Sequence, residues 1–397
     1  MIGALFAITA GLGFAAALVA NVRVRPVIIG LPSTIAGFFA AELARVQIVL
    51  HLSAAALWIA AGALDDPAGV AGAAFAVLAV ALLELAHRRA LATEGLLRTA
   101  FPEQDAAPMT RRLLGVVPPS FRGVEIRRDL TYGPHRRNRA DLYLPARPTS
   151  TPTQAPIVLQ VHGGGWVSGN KRQQGQPLLS HFTRQGWIGV AIDYRLGPRH
   201  RLPACVHDVK RAIAWIRANA EEWGGDADRI LLTGGSAGGH LTALCALTAD
   251  DAMLQPGFEH ADCTVAAAAP IYGVFDLLDR NNRRGRMKMT PFLQRMVMES
   301  KLADDQETWD ALSPVSRVRA DAPPMLAISG AYDTLVPIEE ARDFGAAITS
   351  ASASARFVEL PHAHHAFDVI NGPRARAVVA TIERWATGVM AKGAVDA

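Results

Sequence analysis

The chain has 397 residues, room for one large α/β domain and a second module, and a formal charge of only +4. That charge is small for this length and carries no nucleic-acid signal, so a nucleic-acid partner is not expected. Half of the residues are hydrophobic and 19% are charged, below the quarter usual in soluble domains.

The apolar excess sits at the N-terminus. Residues 1–86 carry only Arg23, Arg25, Glu42, Arg45, Asp65, Asp66 and Glu84 as charged side chains. Ile2–Ala20, Val46–Leu64 and Ala68–Ala86 are each long enough, at 1.5 Å per residue, to cover the roughly 30 Å of a bilayer core. Three spans and a transmembrane module over 1–89 are therefore expected. Val27–Ala41 is shorter and broken by Pro32; a fourth span, a re-entrant half-helix and an extension of the next span all fit it. No Lys or Arg precedes the first run, which argues against a cleaved secretory signal. Arg23 and Arg25 follow the first span, and His87, Arg88, Arg89, Arg98, Arg111 and Arg112 follow the last. The positive-inside rule then places the remainder of the chain on the cytoplasmic face. Cys205, Cys245 and Cys263 show neither disulfide nor metal-ligand spacing, which fits reduced thiols in that setting.

Prolines punctuate a linker over 90–122, and Ala146–Pro156 reads as a surface loop. From 123 to 397 the pattern alternates strands and helices. Val124–Leu130 and Ala140–Leu144 predict an antiparallel start, and Ile157–Val161 and Ile188–Ile192 predict buried central strands. A helix over about 204–222, strands at Val265–Ile271, Met325–Ser329 and Arg356–Leu360, and helices at Pro337–Ile348 and Arg374–Met390 complete an α/β domain with a mostly parallel sheet. In such sheets chemistry collects at the carboxyl ends of strands.

One stretch organises that domain: Leu231-Leu232-Thr233-Gly234-Gly235-Ser236-Ala237-Gly238-Gly239-His240-Leu241. An apolar strand, a G-x-S-x-G turn and an Ala/Leu-rich helix make the context of a nucleophile elbow, with Ser236 as nucleophile. A serine hydroxyl needs a base, and the base needs a carboxylate. His365 is chosen from His362, His364 and His365, which follow the last strand, with His364 as the second choice. Asp333, leaving the Met325–Ser329 strand, is the acid. For the oxyanion, the backbone N–H groups of Gly163 and Gly164, in His162-Gly163-Gly164-Gly165-Trp166, join that of Ala237. No dinucleotide or Walker pattern accompanies this Gly-rich loop, so a nucleotide is not expected. Trp166 and Tyr194 are assigned to the substrate pocket, with loop anchoring as the alternative for Tyr194; Asp208 is assigned a structural role.

Together with Asp193-Tyr194-Arg195-Leu196, Arg201-Leu202-Pro203-Ala204, Asp333–Pro337 and His365-Ala366-Phe367, these motifs resemble the hormone-sensitive-lipase-like α/β-hydrolase carboxylesterases over about 125–390. The resemblance implies serine ester hydrolysis on a Ser236–His365–Asp333 triad, with no metal or other cofactor and a small-molecule or lipid ester as substrate. Many such proteins carry an acidic residue before the serine, where Gly235 stands here, and Trp166 resembles the loop of kynurenine formamidases and prenylcysteine-type methylesterases. The N-terminal module is similar to that of mycobacterial membrane-attached esterases, making the bilayer an expected partner. Amide hydrolysis on the same triad and an inactive membrane-anchored binding protein are the rival expectations. The Arg- and Met-rich segment Asp276–Lys301 reads either as a flap facing anionic headgroups or as a solvated loop leading into a packed helix.

Overall fold

A computed structural model of the protein describes residues 1–23, 30–104, 115–145, 154–284 and 289–393. The chain forms two compact units. The first comprises Met1–Pro118 with Gly330–Leu335 and Leu360–Val378, and the second Pro119–Ser329, Val336–Glu359 and Val379–Ala397. The loops bearing Asp333 and His365 thus group with the N-terminal helices, a division that no contiguous cut of the sequence produces.

In the first unit, helices α1 (Ile2–Val19), α2 (Gly30–Glu42), α3 (Ala44–Ala60) and α4 (Pro67–Ala100) are apolar and built with small residues inside. Ala10, Ala17, Ala76, Ala79 and Ala86 are buried, whereas Leu12, Leu50, Leu57 and Val77 are exposed. Small side chains let backbones approach. A Cβ on Gly72 would stand 2.9 Å from the backbone nitrogen of Ala7. Large apolar groups outside and small ones inside suit a lipid surround better than water.

α1 and α4 are long and apolar enough to cross a membrane. The expected third span at Val46–Leu64 stops at Ala60, where the chain turns through Gly62 at φ +84°. It reaches spanning length only together with Ile35–Glu42, across a 90° bend. Of the undecided Val27–Ala41 stretch, residues from 30 on are helical, and 24–29, with Arg25, lie outside the described residues. α4 starts on a cap, Asp66 Oδ1 accepting from Gly69 N at 3.0 Å behind Pro67. It runs 34 residues, about 51 Å, so it outlasts a bilayer core. The expected linker therefore begins as helix, because residues 90–100 are good helix formers. Arg111 and Arg112 lie outside the described residues.

In the second unit, eight strands form one sheet. They are β1 (Glu125–Thr131), β2 (Arg139–Leu144), β3 (Ala155–Val161), β4 (Ile188–Ile192), β5 (Gly225–Gly235), β6 (Ala267–Ile271), β7 (Leu326–Gly330) and β8 (Arg356–Leu360). Their order is β1-β2-β4-β3-β5-β6-β7-β8. β1 and β2 start antiparallel, and β4, β3, β5, β6 and β7 pair in parallel. Every residue of β4, β6 and β7 is buried, which is why these strands read as unbroken apolar runs. The parallel β3–β4 pair needs a crossover. Helix α5 (Gln176–Arg184), absent from the sequence reading, supplies it. Helices α6 (Leu202–Asn219) and α7 (Ala237–Leu247) follow β4 and β5. Residues 146–153 of the expected surface loop lie outside the described residues.

Candidate active site

β5 runs straight into α7 with a single residue between them, Ser236, at φ +60° and ψ −123°. That backbone region is costly for a non-glycine residue and persists only where the surroundings enforce it. Here Ser236 N donates to Ile271 O at 3.0 Å, and Ser236 O accepts the first helical bond from His240 N at 3.0 Å. The flanking glycines are steric necessities. A Cβ on Gly234 or Gly238 would lie 2.4 or 2.2 Å from the carbonyl oxygen of Val161. Gly235, where an acidic residue is common, faces Tyr272, whose hydroxyl would stand 2.5 Å from an added Cβ. From Leu231 to His240 every residue is buried but Ser236. The fold thus leaves one partly exposed serine in a packed turn, at the positive end of α7.

The glycine loop after β3 closes on the same place. A Cβ on Gly163 would lie 2.7 Å from Gly235 O and 3.1 Å from Ser236 Cβ. The donors are distributed differently from the expectation. Gly163 is buried and its N–H donates to Gln174 Oε1 at 2.7 Å, because the side chain of Gln174 reaches back over the loop. Gly164 and Gly165 are partly exposed, at φ +115° and +60°. Among the described residues the N–H groups of Gly164, Gly165 and Ala237 have no protein acceptor.

Trp166 and Tyr194, expected to line the substrate pocket, are instead interior struts. Trp166 is 2% exposed and donates from Nε1 to His240 Nδ1 at 3.3 Å, and the His240 Nε2–H donates to Leu312 O at 2.9 Å. Burial pushes His240 down to about 4, so it stays neutral and can serve both bonds. Tyr194 is fully buried, stacks on His162 at 4.3 Å and donates to His162 O at 2.8 Å. His162, likewise lowered to about 4 by burial, donates from Nδ1 to Gly163 O at 2.7 Å. Asp208 takes its structural role: it accepts from Arg195 N at 2.8 Å and clasps the guanidinium.

An apolar residue overlooked in the sequence, Phe292, is 39% exposed, and its ring would lie 3.5 Å from a Cβ on Gly165. It stands at the head of a five-residue π-helix, Leu293–Val297, in the Arg- and Met-rich segment. Met298 is buried in the core there. Arg280 pairs with Asp276 and Asp310, Arg283 with Asp343, and the buried Arg284 with Glu340. Internal carboxylates hold all three, so they are not free cations awaiting a headgroup. Arg286, Met287 and Lys288 lie outside the described residues.

In the first unit, Asp333 and His365 meet. His365 Nδ1–H donates to Asp333 Oδ2 at 2.6 Å, with both side chains almost wholly buried. Their loops are laced together by Ala331 N to Leu360 O at 3.0 Å and Tyr332 N to Ala363 O at 2.9 Å. His364 points elsewhere, its Nε2–H donating to Ala20 O at 3.2 Å. Burial, reinforced by the Arg374 charge, lowers His364 to about 4. The carboxylate thus selects His365 over His364. A buried imidazole whose Nδ1–H is held by a carboxylate is the orientation that a general base requires. Among the described residues no cluster of three metal-ligating side chains occurs.

Comparison with known proteins shows the family of the chain. Residues 140–348 match the BD-FAE family. Esterase LipQ of Mycobacterium tuberculosis is 46% identical over 257 residues, covering 64% of this chain and 60% of that protein. An isoprenylcysteine alpha-carbonyl methylesterase of Arabidopsis thaliana is 29% identical over 252 residues, 60% of this chain and 56% of that one. The chain thus spans about 60% of the length of the curated relatives it matches. Thermogutta terrifontis esterase 2 with bound propionate is similar in structure, with a TM-score of 0.53 and 30% identity over 67% of this chain and 93% of that one.

Proposed function

Since the chain belongs to the BD-FAE family of α/β hydrolases, we propose that it is a membrane-bound serine hydrolase of carboxylic esters. The observation that carries the reading is Ser236, held at φ +60° between β5 and α7 and alone partly exposed in its turn. Its Oγ attacks the ester carbonyl carbon, and His365 Nε2 takes the proton while Asp333 stabilises the imidazolium from Nδ1. The carbonyl oxygen becomes an anion that the N–H groups of Ala237, Gly164 and Gly165 receive, Gly163 being occupied by Gln174. Collapse expels the alcohol with the proton from His365 and leaves an acyl group on Ser236. Water then enters, gives a proton to His365 and attacks the acyl carbon. The acid departs and Ser236 recovers its proton.

Phe292, beside Gly165, forms a wall of the acyl site in this reading. The bilayer partner rests on α1 and α4, and the cytoplasmic placement on the arginines after the last span. The relatives, an esterase and a methylesterase, favour esters over amides as the substrate class. The test is a p-nitrophenyl ester series from acetate to palmitate on the full chain in detergent, alongside matched anilides, with Ser236→Ala as the blank. Ester turnover that vanishes in Ser236→Ala is expected. Anilide turnover exceeding ester turnover, or activity retained in the blank, contradicts the reading.

A further inference from the structure

The loop that bears His365 is strained on both sides, with His362 at φ +57° and Ala366 at φ +64°. Neither is glycine, so external contacts must hold the conformation. Two of these come from the N-terminal helices. At the end of α1, Ala20 O belongs to the group of carbonyls that lack an intrahelical donor, and His364 Nε2–H donates to it at 3.2 Å. The seat is close, since a Cβ on Gly37 of α2 would lie 2.8 Å from the His364 ring. The next residue along is tied to α4, Arg89 donating to Asn21 O at 3.2 Å and Asn21 Oδ1 at 2.9 Å.

The second contact is a buried ion pair between Glu42 and Arg374, both at most 2% exposed. Each charge stands at the unfavourable end of its own helix. Glu42 closes α2, and Arg374 is the second residue of the helix Pro373–Gly393. Neither would be stable in such a place alone, so each requires the other. Arg374 also donates from Nη2 to His362 O at 3.3 Å, which fixes one of the two strained residues.

Resting on the esterase reading above, we infer that the N-terminal helices are a positioning element for catalysis: Glu42, through Arg374, and Ala20 O, through His364, hold the loop that aims His365. Glu42 and His364 are therefore positioning residues that act through the loop. The experiment uses the full chain in detergent micelles and measures kcat and KM for a p-nitrophenyl ester, with active sites counted by saturating fluorophosphonate labelling. Glu42→Ala and His364→Ala should each lower kcat per labelled site by about 10- to 100-fold, as a small misplacement of a catalytic group does, with KM within about twofold. The double exchange Glu42→Arg with Arg374→Glu should recover most of the loss. Counting labelled sites removes unfolded molecules from the comparison, so a variant that only folds poorly keeps its kcat per site. If wild-type turnover depends on Ser236 but kcat per site is unchanged in both single variants, the positioning role is overturned and the esterase reading survives. Wild-type turnover independent of Ser236 overturns both.

Discussion

Ser236 is the one partly exposed residue of a turn whose neighbours Gly234, Gly235 and Gly238 have no room for a larger side chain. Ser236→Ala should lower ester turnover by about four to six orders of magnitude, read by steady-state kinetics, while leaving the melting temperature nearly unchanged. Trp166→Phe makes the opposite separation. It removes the Nε1 donor to His240, leaving a buried nitrogen unpaired, and should cost about 1–3 kcal/mol in urea unfolding. Acyl-chain preference should stay the same, whereas a pocket-lining tryptophan would shift it. Phe292→Ala should raise kcat/KM for long acyl chains relative to short ones by about tenfold, as removal of bulk from an apolar pocket does. The strand–turn–helix around Ser236 and the meeting of Asp333 with His365 were legible in the sequence because each of these residues lies in a turn or loop that leaves a strand. The engagement of Gly163 by Gln174 was not legible, since it depends on a side chain 11 residues away folding back. Nor was the burial of Trp166 and Tyr194, because a polar aromatic beside a catalytic loop reads the same whether it faces a pocket or the core.

At the scale of elements, the elbow depends on contact between β3 and α7 that leaves no room for a methyl group. Gly238→Ala would bring a Cβ to 2.2 Å from Val161 O, so either the helix start or β3 must shift. The expected result is a protein that no longer reacts with a fluorophosphonate, even where circular dichroism shows its helices retained. The central strands were readable from short apolar runs, since a strand buried on both faces carries few polar positions to confuse the pattern. α5 went unread although its buried Leu178, Leu179, Phe182 and Thr183 recur at helical spacing. Its nine residues give only two and a half turns, and what demands it is the parallel pairing of β3 with β4. The extension of α4 to Ala100 escaped for the converse reason. Hydropathy marks where a helix leaves apolar surroundings, and the helix itself continues for as long as its residues favour it.

At the scale of the whole molecule, an acid-labile interior and an apolar N-terminal bundle set the conditions under which the protein holds together. His162 and His240 in the second unit are lowered to about 4 by burial, from an ordinary value near 6.5. Between those values the unfolded chain binds protons that the native state refuses, so stability falls as pH drops from about 6.5 towards 4. The urea midpoint should decline over that window, and His240→Gln should remove part of the slope. The exposed apolar residues of α1 and α4 should keep the protein with membranes after carbonate extraction. The grouping of the Asp333 and His365 loops with the N-terminal helices was beyond the reach of the sequence. It rests on partners such as Ala20 and His364, 344 residues apart. The measurement that bears most directly on the enzymatic account is mass spectrometry of the protein after reaction with a fluorophosphonate ester, on wild type and His365→Ala. The account predicts one adduct, on the peptide containing Ser236, formed at least 100-fold more slowly without the imidazole. An adduct on any other residue, or an unchanged rate in His365→Ala, would contradict it.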